Sequence, residues 1–199
     1  MRNYPFFVFT ISHQKMTSEK PHSTALISTA LISLFALLTV IGAKIRVDVF
    51  EIPFTLQTVA VYSSGLFLGW RSGFISQSLY LCLGLFFPVF AGEGFGMDYI
   101  FTRISSGYLL SFPFVAALIG RLSRHTESII GRFIAVEIGS LLLFCSGVIW
   151  LHYAAEHPSW WHSIQNGWLK FLPVDLLKIA IVIMLYTFFP GKKLSVGND

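Results

Sequence analysis

Long apolar stretches broken by short polar punctuation run through this chain, and they predict six transmembrane helices of about 20 residues each. The expected spans cover residues 23–43, 55–70, 72–91, 104–120, 129–153 and 171–190. Between the second and third, Gly69-Trp70-Arg71-Ser72-Gly73 is so short a connection that those helices are expected to be antiparallel neighbours. Residues 88–101 are expected to form a longer loop, whose Ala91-Gly92-Glu93-Gly94-Phe95-Gly96 run lets the backbone take unusual angles and approach another group closely. No internal repeat or low-complexity tract interrupts the pattern. The fold class read from it is all-α, an integral membrane bundle. A single domain at residues 23–190 is flanked by a terminal segment 1–22 and a tail 191–199.

Composition agrees with the periodicity. Hydrophobic residues make up 54% of the chain and charged residues 12%, with a mean hydropathy of +0.68. Ordinary soluble domains carry roughly 25% charged residues. A chain of 199 residues has room for about six such spans with short loops and none for a separate soluble domain. Cys82 and Cys145 lie inside apolar stretches without a CxxC spacing and read as small core hydrophobes.

The positions of Lys and Arg set an expected orientation. With the N-terminus inside, nine of the fourteen fall on inner segments, among them Arg71, Arg121, Arg124, Arg132, Lys192 and Lys193. Four, Lys44, Arg46, Arg103 and Lys170, fall outside, and Lys178 sits within a span. The positive-inside rule then predicts a multi-pass protein of the cytoplasmic (inner) membrane with both termini cytoplasmic. The +4 charge is a topology signal, and no nucleic-acid partner is implied. Phe6-Phe7-Val8-Phe9 is too short for a signal-peptide core; it reads as an interfacial patch, or as sequence upstream of a true start at Met16.

Against that apolar background the intramembrane charges are the informative residues. Asp175 and Lys178 lie near the start of the last span, and each costs about 3 kcal/mol to bury in hydrocarbon even on the insertion scale. Their i, i+3 spacing puts one acceptor and one donor on one helix face. Such a pair suits a polar, ring-shaped ligand offering both N–H and C=O edges; the alternative is a helix-end ion pair that only steadies the bundle. Glu137 falls within the fifth span and reads as a structural polar contact, with a snorkelling side chain or a proton path as alternatives. His152, His157 and His162 share their loop with Trp160 and Trp161, a composition that suits an interfacial aromatic belt better than a metal site. Ala25, Thr29 and Ser33 form a small-residue stripe on the first span, suited either to a docking helix or to packing within the bundle. The chain contains no GxxxxGK[ST], HExxH or GxSxG, so neither a P-loop ATPase nor the common hydrolase sites are indicated, and no cofactor or metal is expected.

Four segments, taken in order, resemble the BioY family, the biotin-binding S components of energy-coupling-factor (ECF) vitamin transporters. They are Phe54-Thr55-Leu56-Gln57-Thr58; Gly65-Leu66-Phe67-Leu68-Gly69 through Leu79-Tyr80-Leu81 to Pro88-Val89-Phe90-Ala91-Gly92; Gly107-Tyr108-Leu109-Leu110-Ser111-Phe112-Pro113; and Phe171-Leu172-Pro173-Val174-Asp175-Leu176-Leu177-Lys178. The resemblance implies capture of biotin from the outer side, with transport through a membrane coupling protein and ATPase subunits docked at the Ala25, Thr29 and Ser33 stripe. A ureido ring needs an acceptor and a donor, as Asp175 and Lys178 offer, though Lys178 also suits the valerate carboxylate. Phe54, Tyr108 and Phe112 are the expected walls. Thr55 is expected to cap the second span, Gln57 to offer a neutral amide, and Arg103 to meet the carboxylate bidentately, or else to snorkel at the interface.

The chain departs from the family at Ile104-Ser105-Ser106-Gly107-Tyr108, where Pro-Thr-Gly-Gly-Tyr is common, and at Val174, where a Gly is usual. Both add side chains and are expected to tighten the pocket or to shape it for a close biotin analogue, while Glu93 and Asp98 are expected to repel an anionic ligand unless Arg103 offsets them. Two other classes stay open. One is a stand-alone secondary transporter, a homo-oligomer in the absence of ATPase partners, using Glu137, Asp175 and Lys178 as a proton relay. The other is an intramembrane enzyme, for which no nucleophile and base pair is visible.

Overall fold

The computed structural model describes residues 21–47 and 52–189. The expectations for Phe6-Phe7-Val8-Phe9, Met16, Lys192 and Lys193 lie outside the described residues. The chain runs α1 (Pro21–Lys44), β1 (Arg46–Val47), β2 (Phe54–Thr55), α2 (Gln57–Phe86), α3 (Gly96–Thr102), α4 (Ser106–Ser123), α5 (Ile129–Ala154), α6 (Trp160–Ile164), a π turn (Gln165–Leu169) and α7 (Leu172–Phe188). Among these α1, α4, α5 and the segment Trp160–Phe188 are long and apolar enough to cross a membrane.

α2 is two helices. At Gly69 the backbone takes φ 79° and ψ −178°, a conformation open essentially only to glycine, and the chain folds back on itself. Gln57 and Tyr80 would lie about 35 Å apart on one continuous helix. Instead the Gln57 side-chain amide donates to the Tyr80 hydroxyl, and Gln77 Nε2 donates to Ser64 Oγ at 3.1 Å. The two limbs, 57–68 and 70–86, are therefore the antiparallel neighbours expected, and they complete a bundle of six long helical segments. Gly120 of α4 closes against the fold-back: a Cβ there would lie 2.4 Å from the Gly69 carbonyl carbon and the Trp70 nitrogen.

α2 and α4 form the centre, with α5 and α7 packed around them and α1 laid mainly against α2. Tyr62, Tyr80, Phe112, Val115, Ile119, Val136, Ile179 and Val182 make the core. On α7 the buried positions are Asp175, Lys178, Ile179, Val182 and Ile183, a helical stripe at i, i+3, i+4, i+7 and i+8. The two charges are thus the first members of the core-facing stripe.

Some expectations are corrected. The loop 88–101 contains α3, and the segment after α5 contains α6 and the π turn. A two-residue antiparallel ribbon pairs Arg46 with Thr55 and Val47 with Phe54. Thr55 does not cap α2; Leu56 stands at that position without a side-chain cap, and Thr55 Oγ1 donates instead to Gln57 Oε1 at 3.0 Å. Cys82 and Cys145 are exposed on the bundle's outer surface, because apolar positions here face lipid as readily as core.

Candidate functional site

At one end of the bundle, five chain segments enclose a cavity of about 720 Å³, its open mouth included. All eight residues singled out from the sequence line it: Phe54, Thr55, Gln57, Arg103, Tyr108, Phe112, Asp175 and Lys178.

The polar floor is carried by α7. Pro173 sits in the first turn of that helix, where its missing N–H costs nothing, and one turn later the chain presents Asp175 and Lys178 inward. Asp175 is 3% exposed and Lys178 8%. They are not paired with each other. Tyr62 OH donates to Asp175 Oδ1 at 2.9 Å, and Ser140 Oγ donates to Asp175 Oδ2. Lys178 Nζ donates to Thr58 Oγ1 at 3.0 Å. A carboxylate has about four acceptor sites and an ammonium three donors, so both groups keep capacity for a ligand after these bonds. The helix-end ion pair considered above is replaced by two separately held charges.

The walls are aromatic. Phe54 and Phe171 meet at 4.5 Å between centroids, and Phe144 lies edge-on to Tyr108 at 6.2 Å. Tyr108 OH donates to Gly167 O at 2.6 Å, which ties the wall to the π turn above it. Gln57 is buried and its amide is used at both ends, by Thr55 and by Tyr80, so it shapes the wall rather than presenting a free amide.

Arg103 stands between α3 and α4, half-buried, its guanidinium 4.8 Å from the centre of the Tyr99 ring. Trp150 Nε1 donates to its carbonyl at 2.8 Å and fixes the backbone there. The Gly-rich run serves this corner: a Cβ on Gly92 would lie 2.0 Å from Tyr99 OH, and one on Gly94 2.0 Å from the Tyr99 ring. Both glycines are needed for close approach, as their sequence context suggests.

The family departures fall unevenly. Ser105 lines the cavity, whereas Ser106 is fully buried beside it, its Oγ without a partner among the described residues. Val174 is 37% exposed and faces away, so the expectation that it tightens the pocket does not hold. Glu93 and Asp98 are exposed and are not among the lining residues.

Other candidates lie elsewhere. Glu137, expected to make a structural polar contact, has a buried Oε2 with no partner among the described residues. His152 and His157 both contact Ser163 Oγ at 3.0 Å, and His162 meets Asn166 at 2.8 Å. Trp160 stacks on His152 at 3.9 Å. Ala25 and Thr29 are exposed and Ser33 half-buried, so the stripe lies mainly on the surface of the bundle.

The sequence reading missed Tyr62, Ser140 and Thr58, which hold the two charges. A signal existed in part: Thr55, Thr58 and Tyr62 recur at i, i+3 and i+7, a polar stripe on an otherwise apolar span. Ser140 had no such signal.

Residues 14–191 match the BioY family model. The "Probable biotin transporter BioY" of Lysinibacillus sphaericus is 34% identical over 175 residues, covering 82% of this chain and 88% of that protein. The "Biotin transporter BioY" of Thermotoga maritima is 29% identical, over 76% of this chain and 89% of that one. The crystal structure of the S-component for biotin from an ECF-type ABC transporter superposes with a TM-score of 0.73 at 24% identity, covering 85% of this chain and 95% of the other, a likeness of fold. By the extent of the family match and the identity to its named members, this chain belongs to the BioY family.

Proposed function

We propose that this protein captures biotin at the cavity and delivers it across the cytoplasmic membrane, acting as a substrate-binding component and not as an enzyme. The observation that carries this reading is the chemistry of the cavity: a held carboxylate and a held ammonium on one face of α7, a guanidinium at the α3–α4 junction, and aromatic walls between. Asp175 suits the ureido N–H groups and Lys178 the ureido oxygen. Phe54, Tyr108 and Phe112 suit the bicyclic ring and chain. Arg103 suits the carboxylate, because its guanidinium has no acceptor among the described residues and can bind it bidentately.

Transport through an ECF coupling protein and ATPase subunits is part of the same reading, with Ala25, Thr29 and Ser33 as the docking surface. The charge distribution supports the orientation. Arg71 and Arg121 flank the Gly69–Gly120 contact, while Lys44, Arg46 and Arg103 gather at the cavity end. By the positive-inside rule the cavity then opens outward and both termini are cytoplasmic.

A titration of the purified chain in detergent, with no partner present, tests the reading. Saturable biotin binding with dethiobiotin weaker and lipoate absent is expected; no biotin binding overturns it. A second reading, a stand-alone transporter driven by an ion gradient, rests on the buried Glu137 Oε2 within α5, which has no partner among the described residues. Biotin uptake that persists without ATPase partners and collapses with the proton gradient favours it.

A further inference from the structure

Lys44 is the last residue of α1, outside the cavity, yet its partners form part of the cavity wall. Its Nζ donates to Pro88 O at 2.6 Å, Phe90 O at 2.9 Å and Gly92 O at 3.2 Å. An ammonium has three donors, so Lys44 is fully used. Acceptors four residues apart reach one nitrogen only where the backbone curls around it, here through the bends at 90–93. Two residues on, Arg46 donates to Ala91 O. The carbonyls of this connection, which has no strand or helix of its own, therefore end on two side chains from one short stretch.

What is held in this way is functional surface. Phe90 and Ala91 line the cavity. Phe90 is 1% exposed, edge-on to Tyr80 at 5.5 Å and stacked on Tyr99 at 5.7 Å. It fits only because Gly84 leaves room: a Cβ there would lie 1.9 Å from its ring. The same end of α1 also sets the opposite strip, since Leu56 N donates to Gly42 O at 3.0 Å and β1 pairs with β2, which carries Phe54 and Thr55. α1 as a whole is peripheral, with 22% of its most apolar window buried.

We propose that Lys44 is a positioning residue for ligand binding: it clamps residues 88–92 into the wall of the cavity and makes the closed shape of that wall depend on where α1 lies. The proposal rests on the cavity being the ligand site. A displacement of α1 relative to α2 would move both strips at once and release the ligand without any change at Asp175 or Lys178.

The test uses the full chain in detergent, with Lys44→Met and Lys44→Arg, reading biotin dissociation and backbone amide exchange. Lys44→Met is expected to dissociate biotin at least tenfold faster, with faster exchange confined to residues 89–92 and an unchanged melting midpoint. Lys44→Arg keeps several donors and is expected to restore most of the slow dissociation. A wild-type dissociation rate in Lys44→Met overturns the proposal. So does loss of binding that spreads exchange through α2 and α4 and is not rescued by arginine, which marks a merely structural role. Should the wild-type chain bind no biotin, exchange in the absence of ligand still decides: a loop loosened only in Lys44→Met supports the clamp, and an unchanged loop overturns it.

Discussion

α1 and α4 are both long enough to span a membrane, and they are built in opposite ways. α1 is the more apolar, with a mean hydropathy of 2.3 against 1.2, yet 22% of its most apolar window is buried against 61% for α4. Leu26, Ile27, Leu37 and Ile41 of α1 face outward, and the residues it buries include Ala36, Thr39, Gly42 and Ala43. α4 buries Ser106, Gly107, Ser111 and Gly120 alongside Leu109, Phe112 and Ile119. In lipid no hydrophobic force draws two apolar helices together, so close contact is made by small residues and satisfied polar groups while the large apolar side chains meet acyl chains. Hydropathy therefore reports which segments lie in the membrane; small and polar positions report which faces touch.

The sharpest test of that contrast sets one residue of each helix against the other. Gly120→Leu on α4 drives a side chain into the Gly69–Trp70 backbone and is expected to cost about 3 kcal/mol or more. The expected result is no monodisperse protein, or a strongly lowered melting midpoint in detergent. Leu37→Ala on α1 removes apolar volume from a 53% exposed position and is expected to stay within about 0.5 kcal/mol. Equal melting of the two variants would break the comparison.

The same physics explains what the sequence disclosed. Six apolar stretches were legible because membrane helices must satisfy their backbone internally and be long enough to span, and the Gly69 turn was legible because five residues admit no other path. Seven of the eight predicted cavity residues were legible from a resemblance in ordered motifs, Arg103 from its place at the end of the fourth helix, and Asp175 and Lys178 from physical chemistry alone, since a charge within a span must have a reason to be there. Their partners were not. Tyr62 and Ser140 come from different helices, and nothing local in sequence announces a tyrosine hydroxyl that meets a carboxylate 113 positions away. Thr55 misled because a threonine before a helix suggests a cap, whereas here its hydroxyl is taken by Gln57. α3 and α6, of seven and five residues, are too short to show an apolar period and owe their form to tertiary contacts.

A smaller effect, on function and not on fold, is expected where the polar residues of the core meet the cavity. Asp175→Asn keeps the volume but places an amide where two hydroxyls donate, leaving a donor facing donors. Lys178→Ala removes an ammonium and leaves Thr58 without its partner. Each is expected to weaken biotin binding at least tenfold, about 1.4 kcal/mol, while the protein still inserts and elutes as a folded species. The titration proposed for the parent chain measures this directly. Retained affinity in both variants would remove the charges from the ligand site and leave them as an internal brace of α7.

The smallest expected effect on the isolated protein belongs to the outward face of α1. Thr29 is exposed and its hydroxyl is already satisfied by Ala25 O at 3.0 Å, so Thr29→Leu takes nothing from the bundle and adds one more apolar side chain to a surface that carries many. Biotin affinity of the purified chain is expected to change by less than about twofold. A small-residue stripe matters only where another helix comes close, because one bulky side chain there separates two backbones that pack through van der Waals contact. Biotin uptake in cells that supply the coupling protein and ATPases is therefore expected to fall sharply in this variant, and co-purification of the coupling protein to fall with it. Weakened binding by the isolated chain would mean that the stripe supports the bundle itself. Undiminished uptake would move the docking surface to another face of the protein and leave the outward face of α1 to lipid.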